Sequence, residues 1–234
     1  LDLERPTRRS EHAHSLLFGA AERPFLRKWD FRVELLGQRV ARTPEYRIPG
    51  PMASSPKQAI VATMETSKAI MDLTVACVTS VKNATGVELD LTQDTLPILD
   101  HYAELADSPR EEVISLLAPM TGAYFGELLR RQLEDGSWVI DSDDYADWRL
   151  RFERCSLAFN PIGVALEVLL GVDIPNWGAH LQTAPEDQLR VKESLEVYGD
   201  VRDHDFYTFS VRFEAIEQAY LGLLNNPAGM APNP

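Results

Sequence analysis

Three stretches of the chain hold residue types that metal or acid–base chemistry needs. His204-Asp205, with Asp203 beside it, is similar to the paired His-Asp of helical metal phosphohydrolases, and that reaction needs further His and Asp ligands from other helices. Of the five histidines only His101 and His180 are placed to supply them, because His12 and His14 lie near the start with Glu11 as their nearest acid. A plainer role for Asp203 or Asp205 is to cap the helix that follows. Asp141-Ser142-Asp143-Asp144-Tyr145-Ala146-Asp147 has the acid density of a calcium loop. It puts Tyr145 where an EF-hand needs an oxygen ligand, Ala146 where it needs glycine and Phe152 where it needs the closing Glu, so a polar hairpin loop is the better reading. The chain has neither a Gly-x-Ser-x-Gly elbow nor a phosphate-cradling glycine loop. No residue is assigned as catalytic, as a cofactor site or as a metal ligand.

The elements that would position these residues are mostly helical. Ser54 or Ser55, then Pro56, opens a long helix in which Ile60, Met64, Met71, Val75 and Val78 recur at helical spacing, and Val61, Ala69, Ile70, Leu73 and Cys77 widen the apolar face. Gly86 ends it, and substantial burial is expected. A second helix follows Thr92 and runs to Asp107; a third opens at Ser108-Pro109 with Glu111 and Glu112 in its first turn. Pro119 should kink or split that third helix. Gly122 and Gly126, four apart on it, cost a helix about 1 kcal/mol each relative to Ala, so they need a reason, and close approach of a neighbouring element is the reading preferred. The alternative is room for a small ligand beside Gly122, Tyr124 and Glu127.

Past residue 136 the period changes to two. Trp138–Ile140, Trp148–Glu153 and Ser156–Phe159 read as three short strands in an antiparallel meander, and Trp138 and Trp148 as core or sheet-face residues. Asn160-Pro161 starts a helix that Gly171 stops, and two more helices span roughly 185–198 and 205–224. Trp177, in Ile174-Pro175-Asn176-Trp177-Gly178, lies in a loop as a lid over the core or an interaction anchor.

Charge divides the chain. Its 234 residues carry a net charge of -13, which repels nucleic acid on average. Residues 1–56 hold ten Lys+Arg against seven Asp+Glu and six of the prolines, leaving thirteen basic against twenty-nine acidic residues in 57–234. The first 56 residues therefore read as a basic, proline-rich arm and linker, with a short helix from Ser10 to Ala21, before an acidic globular domain. Within the arm Trp29, Phe31, Val33 and Leu35 alternate with Asp30, Arg32 and Glu34, an extended segment able to add to a sheet edge in this molecule or another. Cys77 and Cys155 sit in no metal or redox spacing, no apolar run is long enough to span a membrane, and no secretory leader is recognisable.

The run Gly122-Ala123-Tyr124-Phe125-Gly126-Glu127, then Trp138, then Asn160-Pro161 resembles uncharacterised bacterial α+β domains. In these a Gly-Ala-Tyr-x-Gly-Glu helix precedes a tryptophan-bearing strand and a strand ending in Asn-Pro. The resemblance covers about residues 87–170 and implies a bacterial, cytoplasmic protein with no activity to carry over. The expectation is an α+β fold, predominantly helical with a small antiparallel sheet near 137–160. Its expected function is that of a non-enzymatic protein-interaction module or accessory subunit of a bacterial assembly, in the cytoplasm and without cofactor. Partners would be a protein or a second copy, not nucleic acid or membrane, met through Arg27, Lys28, Trp29, Phe31, Arg32 and Trp177. The alternatives are a metal-dependent hydrolase on His204, Asp205 and His101, and a small-ligand-binding domain near Gly122 and Tyr124.

Overall fold

The computed structural model describes the backbone of residues 33–35, 56–106, 110–196 and 201–225, and the side chains of those ranges from residue 68 onward except Asp203. The fold is α+β and mostly helical. In chain order its elements are β1 (Val33–Leu35), α1 (Pro56–Thr85), α2 (Leu96–Glu104), α3 (Glu111–Gln132), β2 (Ser137–Val139), β3 (Arg149–Arg151), β4 (Leu157–Phe159), α4 (Pro161–Leu170), β5 (Leu181–Thr183), α5 (Gln188–Leu195), α6 (Asp203–Phe206) and α7 (Phe209–Leu224). The sheet order is β1-β5-β4-β3-β2, with the last four strands antiparallel and β1 parallel to β5. The expected meander is β2-β3-β4. Strand β5 is not expected from the sequence, where Leu181–Thr183 stand in the stretch between two helices.

Helix α3 is the centre. Its residues from Leu117 to Gly126 are all buried, and Pro119 lies inside a continuous helix rather than splitting it. The glycine pair explains how neighbours come so near. A Cβ on Gly122 would lie 2.6 Å from the Ile162 Cα, and one on Gly126 would run into the Trp138 ring and reach 3.0 Å from Pro161 Cγ. Contacts that short are repulsive, so α4 and β2 can press on α3 only where its side chains are hydrogen. The packing reading of Gly122 and Gly126 holds. The space that a ligand beside Gly122 would need is filled by the Pro161 and Ile162 backbone.

Helix ends follow local chemistry in part. Asn160 caps α4, its Oδ1 accepting from the Ile162 and Gly163 amides at 2.9 and 3.2 Å, while its Nδ2 donates to the Tyr145 carbonyl at 2.8 Å and ties down the acidic loop. Gly86 and Gly171, both at positive φ, end α1 and α4 as expected. The third helix begins at Glu111 with Arg110 at its cap position and no side-chain cap. The last helix is split into α6 and α7, and Asp205 does not cap α7. Thr208 does, accepting from Val211, and Asp100 of α2 accepts from the Phe209 amide, the Ser210 amide and the Ser210 hydroxyl at 2.5, 3.2 and 2.5 Å. An acid brought from another helix does the capping because the folded chain, not the local sequence, puts it there.

A buried ion pair joins α4 to α7. Arg212 Nη2 donates to Glu167 Oε2 at 2.7 Å, Arg212 Nε donates to the Phe206 carbonyl at 3.1 Å, and the guanidinium lies 3.9 Å from the Phe206 ring centre. Glu167 Oε1 accepts from the Ile174 amide at 3.2 Å, with His180 Nε2 3.9 Å away.

Two stability predictions come from these contacts. Gly122→Ala should lose about 1–3 kcal/mol in urea unfolding, although alanine is the better helix former; a gain would contradict the close approach. Glu167→Ala, which removes the carboxylate from the buried Arg212 guanidinium, should cost about 3–5 kcal/mol by the same measurement, and a cost under about 1 kcal/mol would mean that the pair is dispensable.

Candidate docking groove

Helix α1 is expected to be covered along a wide apolar face, and the structure covers only part of it. Ile70, Thr74, Cys77 and Val81 are buried, whereas Met71 and Val75, one position further round, stay 64% and 58% exposed. The apolar arc on α1 is wider than the core can use. The leftover strip lines a groove of about 1010 Å³ together with Ser137 and Trp138 of β2, Ile140 just past it, and Glu127, Arg130 and Arg131 of α3. Strand β2 is the last strand of the sheet, so among the described residues its outer edge pairs with nothing.

The polar end of this groove is tightly organised. Glu127 keeps only 12% of its side chain exposed. Its Oε1 accepts from Trp138 Nε1 at 2.9 Å and from Arg130 Nε at 3.0 Å, and its Oε2 accepts from Arg130 Nη2 at 2.9 Å. Burial pushes the Glu127 carboxyl up, but the bonds from Arg130 and Trp138 and the charges of Arg130 and Arg131 outweigh it and hold it below the usual carboxylate range. Glu127 is therefore an anion fixed as a structural acceptor and not a poised general acid. It also sets the Trp138 ring, which packs edge-on against Trp148 at 6.4 Å and fills the gap over Gly126.

Leu91 stands on the rim with φ of +63°, a conformation costly for a residue with a large side chain. Its amide donates to the Tyr124 hydroxyl at 3.0 Å and its carbonyl accepts from Gln132 Nε2 at 3.2 Å. Tyr124 itself is fully buried, and its hydroxyl also meets Thr95 Oγ1 at 3.2 Å. Burial raises the Tyr124 hydroxyl above the ordinary phenol range. The tyrosine of the Gly-Ala-Tyr run thus props the rim from inside.

The structure does not gather the residues of the metal-hydrolase alternative. His204 is 81% exposed and meets Asp205 at 3.7 Å, His101 lies 3.9 Å from Glu104, and among the described residues no group of three or more His, Cys, Asp or Glu could hold a metal ion. Both cysteines are free, and burial raises each thiol to about 12. Trp177 is half-buried and packs against the smaller core cluster with Ile162 and Leu166, closer to the lid role than to a free anchor. Arg27, Lys28, Trp29, Phe31 and Arg32 lie outside the described residues. Val33–Leu35, which follow them, pair with β5 of the same chain.

Sequence reasoning missed the groove because each residue in it looked like core. Met71 and Val75 belonged to an apolar face, Trp138 to a strand and Glu127 to a helix. The available signal was the width of the α1 face, too broad for one contact. No family model, curated protein or solved structure matches the chain.

Because Glu127 is held ionised, its contribution to stability exists above its unfolded pKa near 4.3 and is lost as pH falls through the lower folded value. The stability difference between wild type and Glu127→Gln should be largest at pH 5–7 and shrink below about pH 4. Urea midpoints measured from pH 7 to 3 check this, and a difference constant across that range would contradict it.

Proposed function

We propose that this protein is a non-enzymatic interaction module, an accessory subunit of a protein assembly in the bacterial cytoplasm, the setting that the sequence resemblance implies. The groove between α1 and β2 carries the proposal. It combines apolar side chains left exposed on a helix with an open strand edge, and proteins use that pair of features to seat a segment of another chain. The strip bounded by Met71 and Val75 is a recognition surface that the core does not consume. The propped Leu91 rim and the fixed Trp138 give it a rigid floor, so little ordering is needed on binding.

The arm is the second contact in this proposal. Trp29, Phe31 and the basic residues Arg27, Lys28 and Arg32 immediately precede β1 in the chain, and Val33–Leu35 of β1 pair with β5 of the same chain. Both contacts are on one molecule, as an assembly subunit requires, and the acidic body steers basic partners by its long-range field.

Photo-crosslinking in cells separates the two. A photoreactive residue at position 71 should yield one dominant adduct, while the same group at Leu189, exposed on α5, should not. Val75→Asp should abolish the adduct without changing the melting temperature, and Trp29→Ala with Phe31→Ala should weaken it. Equal labelling from positions 71 and 189, or no adduct at all, would refute the groove as the docking surface.

A further inference from the structure

We infer that the groove takes an extended peptide that adds to β2 as a further strand, sets alternate apolar side chains against Met71 and Val75, and places an acidic side chain at Arg131. This rests on the interaction reading above and names the chemistry of the partner. Two observations select an extended peptide rather than a helix or a small molecule. The β2 edge presents backbone donors and acceptors that only another backbone in extended form can satisfy in register. The α1 strip that lines the groove is apolar and belongs to a helix, the arrangement that lets every second side chain of an added strand be buried.

Charge complementarity supplies the acid. Four charged residues line the groove: Glu88, Glu127, Arg130 and Arg131. Glu88 is neutralised by Lys82 at 2.6 Å, and Glu127 is matched by two guanidinium nitrogens of Arg130, Nε and Nη2. Arg131 approaches Glu127 only to 4.0 Å, with 57% of its side chain exposed. Arg130 and Arg131 also line a shallow hollow of about 420 Å³ together with Glu134, Asp135 and Glu153. Among the described residues Arg131 is therefore the least engaged charge of the groove, and it sits at the α3 end. At contact distance that local guanidinium outweighs the net negative charge of the body, whose field is screened over about 8 Å at physiological salt.

The test uses the full-length protein and three synthetic nonapeptides with blocked ends, alternating Val and Thr and finishing in two Glu, two Lys or two Gln. By fluorescence anisotropy the Glu peptide should bind about five- to tenfold tighter than the Lys peptide, and added salt should narrow the gap. Arg131→Glu should reverse the order, and Met71→Asp should weaken all three peptides. Methylating alternate backbone nitrogens on one edge of the Glu peptide should abolish binding, while methylating the other set should not. Equal binding of the three peptides, still lost in Met71→Asp, overturns the acidic partner and leaves the groove reading standing. Equal tolerance of both methylated forms overturns strand addition. If no peptide binds while the position-71 adduct forms, the partner is not an extended peptide. If neither forms, this inference and the interaction reading fall together.

Discussion

The close approach of α4 and β2 to α3 at Gly122 and Gly126 is the constraint on which the other contacts depend. Two missing Cβ atoms let the Ile162 backbone and the Trp138 ring sit where side chains would otherwise stand. With that seam closed, α3 is buried on most sides and can carry Tyr124, Phe125 and Leu128 into one core. The seam also fixes where β2 runs, because β2 carries Trp138. Through β2 it sets the position of the whole sheet. The cost is local, about 1 kcal/mol of helix propensity for each glycine, and the gain is burial distributed over several elements.

Around this seam, carboxylates act as joints between elements distant in sequence. Asp100 of α2 caps α7, and Glu167 of α4 holds Arg212 of α7. Asp135 accepts from the Glu153 and Arg154 amides and from the Tyr220 hydroxyl at 3.0, 3.1 and 3.0 Å. Glu127 fixes the Trp138 indole. Where the donors are buried, as at Arg212 and Phe209, leaving them unsatisfied would cost more than a typical hydrogen bond contributes. These carboxylates explain why so acidic a chain folds: part of its negative charge is internal and engaged. Burial acts against them unequally. It lifts the Asp100 carboxyl above its ordinary range despite three hydrogen bonds, while Asp135, less deeply placed, is held below it by its amide and phenol donors.

The groove is what remains when this arrangement is complete. Helix α1 packs on α3 with the arc centred on Ile70, Thr74, Cys77 and Val81, and the sheet ends at β2 before reaching the next arc. A fifth antiparallel strand in that place would cover Met71 and Val75. The chain supplies its fifth strand at the opposite edge, where β1 joins β5 in parallel. An open edge beside an exposed apolar strip is unfavourable in water, and Leu91 at φ of +63° adds strain on the same rim.

Much of the framework was legible in sequence because its causes are local. Helical spacing and terminal glycines marked α1 and α4, Asn160-Pro161 marked a helix start, the period of two marked β2 to β4, and two glycines four apart marked a tight contact. What the sequence could not show is which of two equally apolar arcs on α1 would be covered. It also could not show that the cap of α7 is Asp100, 109 residues away from Phe209, or that Glu167 would meet Arg212. These depend on distances set only when all the elements are packed. By itself the sequence determined the long helices, the strands β2 to β4 and the α+β class, since those follow from backbone preferences and short-range periodicity. Only the tertiary structure decided which apolar residues stay exposed and which charges are matched, because burial and pairing belong to the assembled chain.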